Sequence, residues 1–277
     1  MCRFLVYRGD PIAADGLLIR SRYSLKDQSQ HSRFKITGPL NKDGYGVGWF
    51  ANGAPPEVFV GTGPAWESTE LERVASQVCS GCWFGHVRSA SPGMHVTCEN
   101  AHPFLRRGIL WMHNGLVADF SRMKECMFAQ MDAADRRVIR GNTDSEVCFA
   151  LFFSLLARYE GEPVAAMQAL FDSIRQWHHE LAIEQSSYLN FAATNGDWMV
   201  VTRCVTDTSV APVSLFLAEA VRYQESGGRI QLSKENHGNN CAIVASEPLT
   251  EDYCWQEIPS QTLLSIAPSL EIERFRL

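Results

Sequence analysis

The apolar positions of this chain change period along its length, and the changes mark its elements. Residues 2–8 alternate only weakly and predict a short buried strand at the start of the chain. The segment 14–40 is mixed and polar, with a loop expected at Gln28–Arg33. A glycine-rich turn at 41–44 then runs into a strand in which Gly44, Gly46 and Gly48 occupy every second position. Alternation places all three on one face, so another sheet or a ligand must approach that face closely.

A short helix is expected at 67–78, and strands at Cys82–Val87 and Gly108–Met112. From Asn142 to Tyr159, the apolar residues Val147, Ala150, Leu151 and Leu155 follow the spacing of a buried helix face. A second helix over 163–182 aligns Val164, Met167, Phe171, Ile174, His178 and Leu181. Strands at 189–194 and 198–202 flank Asn195-Gly196-Asp197, a strong hairpin signal. Further strands are expected at 213–217, 241–245, 262–266 and 271–276. Strands, then two helices, then strands, without repeats or a Pro/Ser-rich linker, predict an α+β architecture of packed layers in one domain spanning 2–277.

Composition narrows the function classes. The 277 residues are 45% hydrophobic and 20% charged, an ordinary globular mixture. A net charge of -6 with scattered Lys and Arg gives no electrostatic footprint for nucleic acid or an anionic membrane. No apolar run approaches the ~18 residues of a membrane span, and Arg8, Asp10 and Asp15 interrupt any signal-peptide core. Nine cysteines, an odd number, fit a reduced cytoplasmic protein with free thiols. Cys79 and Cys82 have CxxC spacing but no second pair at zinc-ribbon distance, so no metal is expected.

Candidate chemistry begins at Cys2. Removal of Met1, expected before so small a side chain, would leave a thiol and a free α-amine on one residue. The amine, with an ordinary pKa near ~8, can take a proton, and the thiolate is a strong nucleophile. Other short motifs have local explanations of their own. Asn114-Gly115 reads locally as a hairpin turn. Thr143-Asp144-Ser145-Glu146 reads as a helix capping box, and Arg88 as a surface charge at a strand end.

Taken in order, however, Cys2, Asn41-x-Asp43-Gly44-x-Gly46, His86-x-Arg88-Ser89-Ala90-Ser91, Asn100-Ala101-His102-Pro103, His113-Asn114-Gly115 and Thr143-Asp144-Ser145-Glu146 resemble the class II, N-terminal nucleophile, glutamine amidotransferases. The resemblance implies a four-layer αββα sandwich. It implies that Cys2 attacks the γ-carbonyl of a glutamyl substrate while its α-amine shuttles the proton. Asn114 and Gly115 would form the oxyanion hole, an amide side chain and a backbone N–H aimed where charge develops. Arg88 would grip the substrate α-carboxylate and Asp144 its α-ammonium, with His113 beside them. Asn41, Asp43, Gly44 and His102 match family positions near the site and are expected to support it. No cofactor is implied.

The chain departs from the synthase type of this family, which carries Arg-Trp-x-Thr-His where Arg88-Ser89-Ala90-Ser91 stands. The start of the chain and Ser246-Glu247-Pro248 are closer to a stand-alone subgroup, which includes amidohydrolases of glutathione breakdown and of ergothioneine synthesis. The implied reaction is hydrolysis of glutamine or a γ-glutamyl compound through a γ-glutamyl thioester, releasing glutamate. The alternative is a glutaminase subunit delivering ammonia to a separate synthase chain. A non-catalytic binding protein is disfavoured by the intact set of Cys2, Arg88, Asn114, Gly115 and Asp144. The partner expected is a small γ-glutamyl molecule and, for the alternative, a protein subunit.

Overall fold

The computed structural model describes residues 1–34, 40–51, 53–91, 93–234 and 238–277, so residues 35–39 of the polar segment 14–40 lie outside it. Fourteen strands are found among the described residues: β1 (Arg3–Ala13), β2 (Tyr45–Trp49), β3 (Glu57–Gly61), β4 (Cys79–Val87), β5 (Phe104–Arg106), β6 (Ile109–Leu116), β7 (Tyr188–Thr194), β8 (Met199–Arg203), β9 (Phe216–Ser226), β10 (Arg229–Ser233), β11 (Asn239–Ala245), β12 (Trp255–Glu257), β13 (Thr262–Ile266) and β14 (Ile272–Arg276). The helices are α1 (Leu25–Gln28), α2 (Thr69–Gln77), α3 (Phe120–Gln130), α4 (Ala133–Arg136), α5 (Asp144–Arg158) and α6 (Pro163–Glu180).

The strands form two antiparallel sheets. One has the order β10-β9-β11-β1-β4-β2-β3, with β12 pairing β9; the other runs β14-β13-β8-β7-β6-β5. Phe4, Val6, Phe84, Leu110, Met112, Ala192, Val201 and Val244 pack between them. On the outer face of the second sheet, Trp111, Phe191 and Val200 meet the apolar faces of α3, α5 and α6. On the outer face of the first, Leu5, Tyr7 and Trp83 meet Leu17, Leu18, Leu25, Leu71 and Ala75. The result is the four-layer αββα sandwich. It also explains the weak alternation of β1: Phe4 and Val6 face the other sheet, while Leu5 and Tyr7 face the helices, so both faces are apolar.

The glycine face of β2 is met by protein. A Cβ on Gly46 would lie 2.5 Å from the His102 carbonyl oxygen, and one on Gly48 would lie 2.8 Å from Leu110. The close neighbour is therefore the second sheet and the loop leading into it. At the far end of the gap, Arg8 donates to the carbonyls of Gly196 (2.6 Å) and Asp197 (3.4 Å) in the predicted β7–β8 hairpin turn.

Several expectations need correction. Asn114-Gly115 is not a turn: both residues continue β6, opposite Asn190 and Leu189 of β7. The strand overrides the local turn preference because the ladder to β7 supplies partners through Leu116. The capping box is only half made. Thr143 Oγ accepts from the Glu146 amide, but the Glu146 carboxylate turns to the amides of Arg140 and Gly141. The expected loop at Gln28–Arg33 is preceded by a short helix that ends at Gln28, and the strand expected at 213–217 begins at Phe216 and runs to Ser226. The helix α3 and the short edge strands β3 and β10 were not foreseen. Among the described residues, no helix is long and apolar enough to cross a membrane.

Candidate functional site

The rows of side chains facing the gap between the sheets all change character at one end. On β1 the row runs Val6, Phe4, Cys2; on β4 it runs Phe84, His86, Arg88. On β6 it runs Leu110, Met112, Asn114; on β7, Ala192, Asn190; on β11, Val244, Ser246. Antiparallel pairing brings these five polar ends together. Each lies where a residue two positions away is packed core, so strand geometry alone aims them into the mouth of the gap.

Cys2 is buried there, and the Ser89 amide donates to its Sγ at 3.4 Å. Burial pushes the thiol pKa up. The Ser89 amide, the N-terminal charge, Arg88 and Arg3 oppose that shift by favouring the thiolate. Met1 is in place, and its carbonyl accepts from Asn41 Nδ2 at 2.8 Å.

Arg88 is not a surface charge. It is 4% exposed, and the only hydrogen bond of its guanidinium among the described residues is from Nη1 to the His95 carbonyl (3.2 Å). It has no ion pair there, leaving most of a planar five-donor fork unspent in a buried position. Asp43 orders the loop above it: its N–H donates to the Arg88 carbonyl (3.0 Å), and its Oδ2 accepts from the Ala90 amide (2.9 Å). Gly44 accepts from the Arg88 amide (2.7 Å) with φ at +147°, a conformation that suits glycine.

Asn114 is fully buried, with Nδ2 donating to Ser246 Oγ at 3.3 Å and Oδ1 without a partner among the described residues. One Nδ2 hydrogen therefore remains available. Gly115 is obligatory, because an added Cβ would lie 1.8 Å from the Tyr188 carbonyl oxygen. Asp144 stands at the N-terminus of α5, taking the Val117 amide on Oδ2 (2.7 Å) and the Ser145 amide on Oδ1 (2.8 Å). These two bonds fix the carboxylate and leave lone pairs for a cation.

The histidines serve the frame. His113 faces away from the gap, with Nε2 at 2.9 Å from the Tyr188 carbonyl and Nδ1 at 2.9 Å from Ser145 Oγ. A carbonyl only accepts, so Nε2 carries the proton and Nδ1 accepts from Ser145. Both nitrogens are occupied, and a direct contact of this ring with substrate is not supported. His86 Nε2 reaches the His113 carbonyl (3.3 Å), and the His102 ring lies against His86 with centroids 4.5 Å apart. Burial lowers all three pKa values, that of His86 to about 3, with Arg88 adding to the shift at His86 and His102.

The sign of that shift predicts the pH dependence of stability. These imidazoles are neutral when folded but charge near 6.5 when exposed, so unfolding takes up protons below that pH. Stability should be full above pH 6.5 and fall as the pH drops toward about 3. His86 alone contributes a loss of about 2 kcal/mol by pH 5. Urea midpoints at pH 7 and pH 5 check this, and equal midpoints would contradict it.

Sequence reasoning missed Ser246 and Asn190 at the mouth as site members, and Glu247, which pairs with Arg3 behind Cys2. The signal was present in Val244-Ala245-Ser246 and in Asn190-Phe191-Ala192, where an inward apolar row ends in a polar group. Cys79 and Cys82 are three apart on β4, the first exposed and the second buried beside Thr194, a poor arrangement for a shared metal. No group of three or more His, Cys, Asp or Glu that could hold a metal ion occurs among the described residues.

A thiol, an amide donor and a guanidinium at the ends of facing strands, with a carboxylate fixed at the N-terminus of α5, are the groups that an amino-acid zwitterion with an electrophilic side chain requires. Comparison with known proteins identifies a family. Residues 23–269 match the family described as class II glutamine amidotransferases. The chain is 32% identical to the probable glutamine amidotransferase DUG3 of Saccharomyces cerevisiae, over 96% of this chain and 82% of that protein. It is 26% identical to the gamma-glutamyl-hercynylcysteine sulfoxide hydrolase of Mycobacterium tuberculosis, over 96% and 93%. A class-II domain protein from Silicibacter pomeroyi superposes with a TM-score of 0.67 at 22% identity, over 100% and 99% of the two chains. The glutamine phosphoribosylpyrophosphate amidotransferase of B. subtilis gives 0.59 at 17%, over 99% of this chain and 49% of that one. These last two establish likeness of fold.

Proposed function

Because the chain belongs to the class II glutamine amidotransferases, we propose that it hydrolyses a γ-glutamyl amide with Cys2 as the nucleophile. Removal of Met1 frees the Cys2 α-amine, which takes the thiol proton as sulfur attacks the γ-carbonyl. The Asn41 amide, now on the Met1 carbonyl, then faces that amine, and a flip would present its oxygen to an ammonium. Asn114 Nδ2 and the Gly115 amide hold the oxyanion. The tetrahedral adduct collapses, the α-amine protonates the departing nitrogen, and a γ-glutamyl thioester remains. Water attacks the thioester, its proton returning through the amine, and glutamate leaves with the Cys2 thiol restored.

Arg88 takes the α-carboxylate and Asp144 the α-ammonium. The single observation carrying this reading is the buried Arg88 fork, with one hydrogen bond and no carboxylate of the protein's own among the described residues. A buried cation without an acid is costly unless a ligand anion completes it.

The leaving group is proposed to be larger than ammonia. Ser89, Ala90 and Ser91 stand where the synthases carry bulk, and one relative described above is a gamma-glutamyl-hercynylcysteine sulfoxide hydrolase. The purified chain should release glutamate from glutamine, glutathione or another γ-glutamyl amide without a partner. Esterifying the α-carboxylate or acetylating the α-amine of the best substrate should lower kcat/KM by about 100-fold each. Indifference to both modifications would sink the proposed head-group site. Intact mass of the active protein checks Met1, which must be absent.

A further inference from the structure

Where β1 begins, Arg3 and Glu247 form an ion pair sealed from solvent, 1% and 0% exposed, with Nε and Oε1 3.0 Å apart. Desolvating two charges is expensive, and apolar side chains of similar volume commonly hold a fold as well. This pair makes contacts that apolar side chains cannot. Arg3 Nη1 donates to the Cys2 carbonyl at 2.9 Å, and Nη2 donates to Ser32 Oγ at 2.6 Å. Ser32 in turn donates to Glu247 Oε1, while Glu247 Oε2 accepts the Arg33 amide at 2.9 Å.

The neighbouring Ser246 reaches the opposite sheet. Its Oγ accepts both the Phe4 amide (2.9 Å) and Asn114 Nδ2 (3.3 Å), and its own amide donates to the Phe4 carbonyl (3.0 Å). The end of β11 thus holds Cys2 through Arg3 on one side and touches Asn114 on the other. Chain ends fray unless tied down. With Met1 gone, Cys2 would hang from one peptide bond, and its carbonyl is the remaining backbone handle on the direction of its sulfur and nitrogen.

We propose that Glu247 is a positioning residue for Cys2: through Arg3 it holds the Cys2 carbonyl, and so the thiol and amine, in register with Asn114. This rests on the reading of Cys2 as nucleophile. The clamp acts on the reacting groups and leaves the head-group contacts of Arg88 and Asp144 unaltered, so it should be felt in kcat and not in KM.

The test uses E247Q and the double substitution R3L/E247L, which replaces the pair with apolar bulk. Each is measured for melting temperature, kcat and KM on the best γ-glutamyl substrate. The double variant should keep a melting temperature near that of the parent, lose about 30-fold in kcat and change KM by less than about threefold. E247Q, which keeps the shape and loses the charge, should fall between the two. A folded double variant with parental kcat would overturn the proposal, as would a loss in KM alone. Failure of both variants to fold would also overturn it, leaving the pair a purely structural device. Failure of the underlying reading looks different: the parent would then show no hydrolysis, or hydrolysis that survives C2A.

Discussion

Cys2→Ala should abolish glutamate release, lowering kcat by ~10⁴-fold or more while leaving the melting temperature within a few degrees of the parent. The size of the effect follows from what is removed. Without sulfur there is no covalent adduct, and the remaining groups can only bind and polarise the substrate. The stability cost is small because Cys2 precedes β1 and the substitution removes a single sulfur atom from its buried side chain. Cys2→Ser is the sharper comparison. It keeps an oxygen nucleophile beside the amine, yet should remain at least about 100-fold impaired, since a hydroxyl is a far weaker nucleophile than a thiol. A glutamine-analogue electrophile should label the parent at Cys2 with one equivalent and neither variant. Activity that persists in Cys2→Ala would remove the nucleophile assignment altogether.

Asn114→Ala should lower kcat by about 10²–10³-fold with KM little changed. Its amide would donate to the carbonyl oxygen chiefly when that oxygen is an anion, so the loss is felt in the transition state. Asn114 is also buried against Ser246, and truncation leaves that hydroxyl with one fewer donor, a structural cost on the order of 1 kcal/mol. Asn114→Asp separates the two effects. It fills the same volume and can still meet Ser246, but replaces the donor with an anion where negative charge must develop. It should be at least as inactive as the alanine variant, despite retaining the shape. Recovery of activity in Asn114→Asp would mean that packing, and not donation, is what the residue supplies.

The helices α5 and α6 and the hairpin around Asn195-Gly196-Asp197 were legible because each carries a strong local period or turn signal. The family resemblance, and with it the sandwich, was legible from the order of the motifs. Asn114-Gly115 shows where local reading stops. The same two residues that make a good turn also make a strand when a partner strand lies alongside, and β7 comes some 75 residues later. Arg88 shows the same limit from another side. Only the third dimension reveals that the loop holding Asp43 closes over it. Ser246 and Glu247 were quoted as a subgroup likeness, yet their contact with residues 3 and 4 spans most of the chain, beyond any periodicity. The helix α3 escaped because only Met123 and Met127 are fully buried, while Phe120, Cys126 and Phe128 pack only partly against the core and blur the stripe.

The plug that Arg8 makes with the carbonyls of Gly196 and Asp197 has a kinetic consequence. Between that plug and Cys2 the space is filled by Val6, Phe4 and their neighbours, so among the described residues the far end of the gap is closed and the doorway to Cys2 is at the mouth. On the proposed reading, the departing amine must clear that doorway before water can enter to resolve the thioester. A ping-pong rate law follows, with an added amine acceptor competing against hydrolysis for one covalent intermediate. Any second protein that collected ammonia would have to cap the same entrance and would thereby exclude the larger substrates.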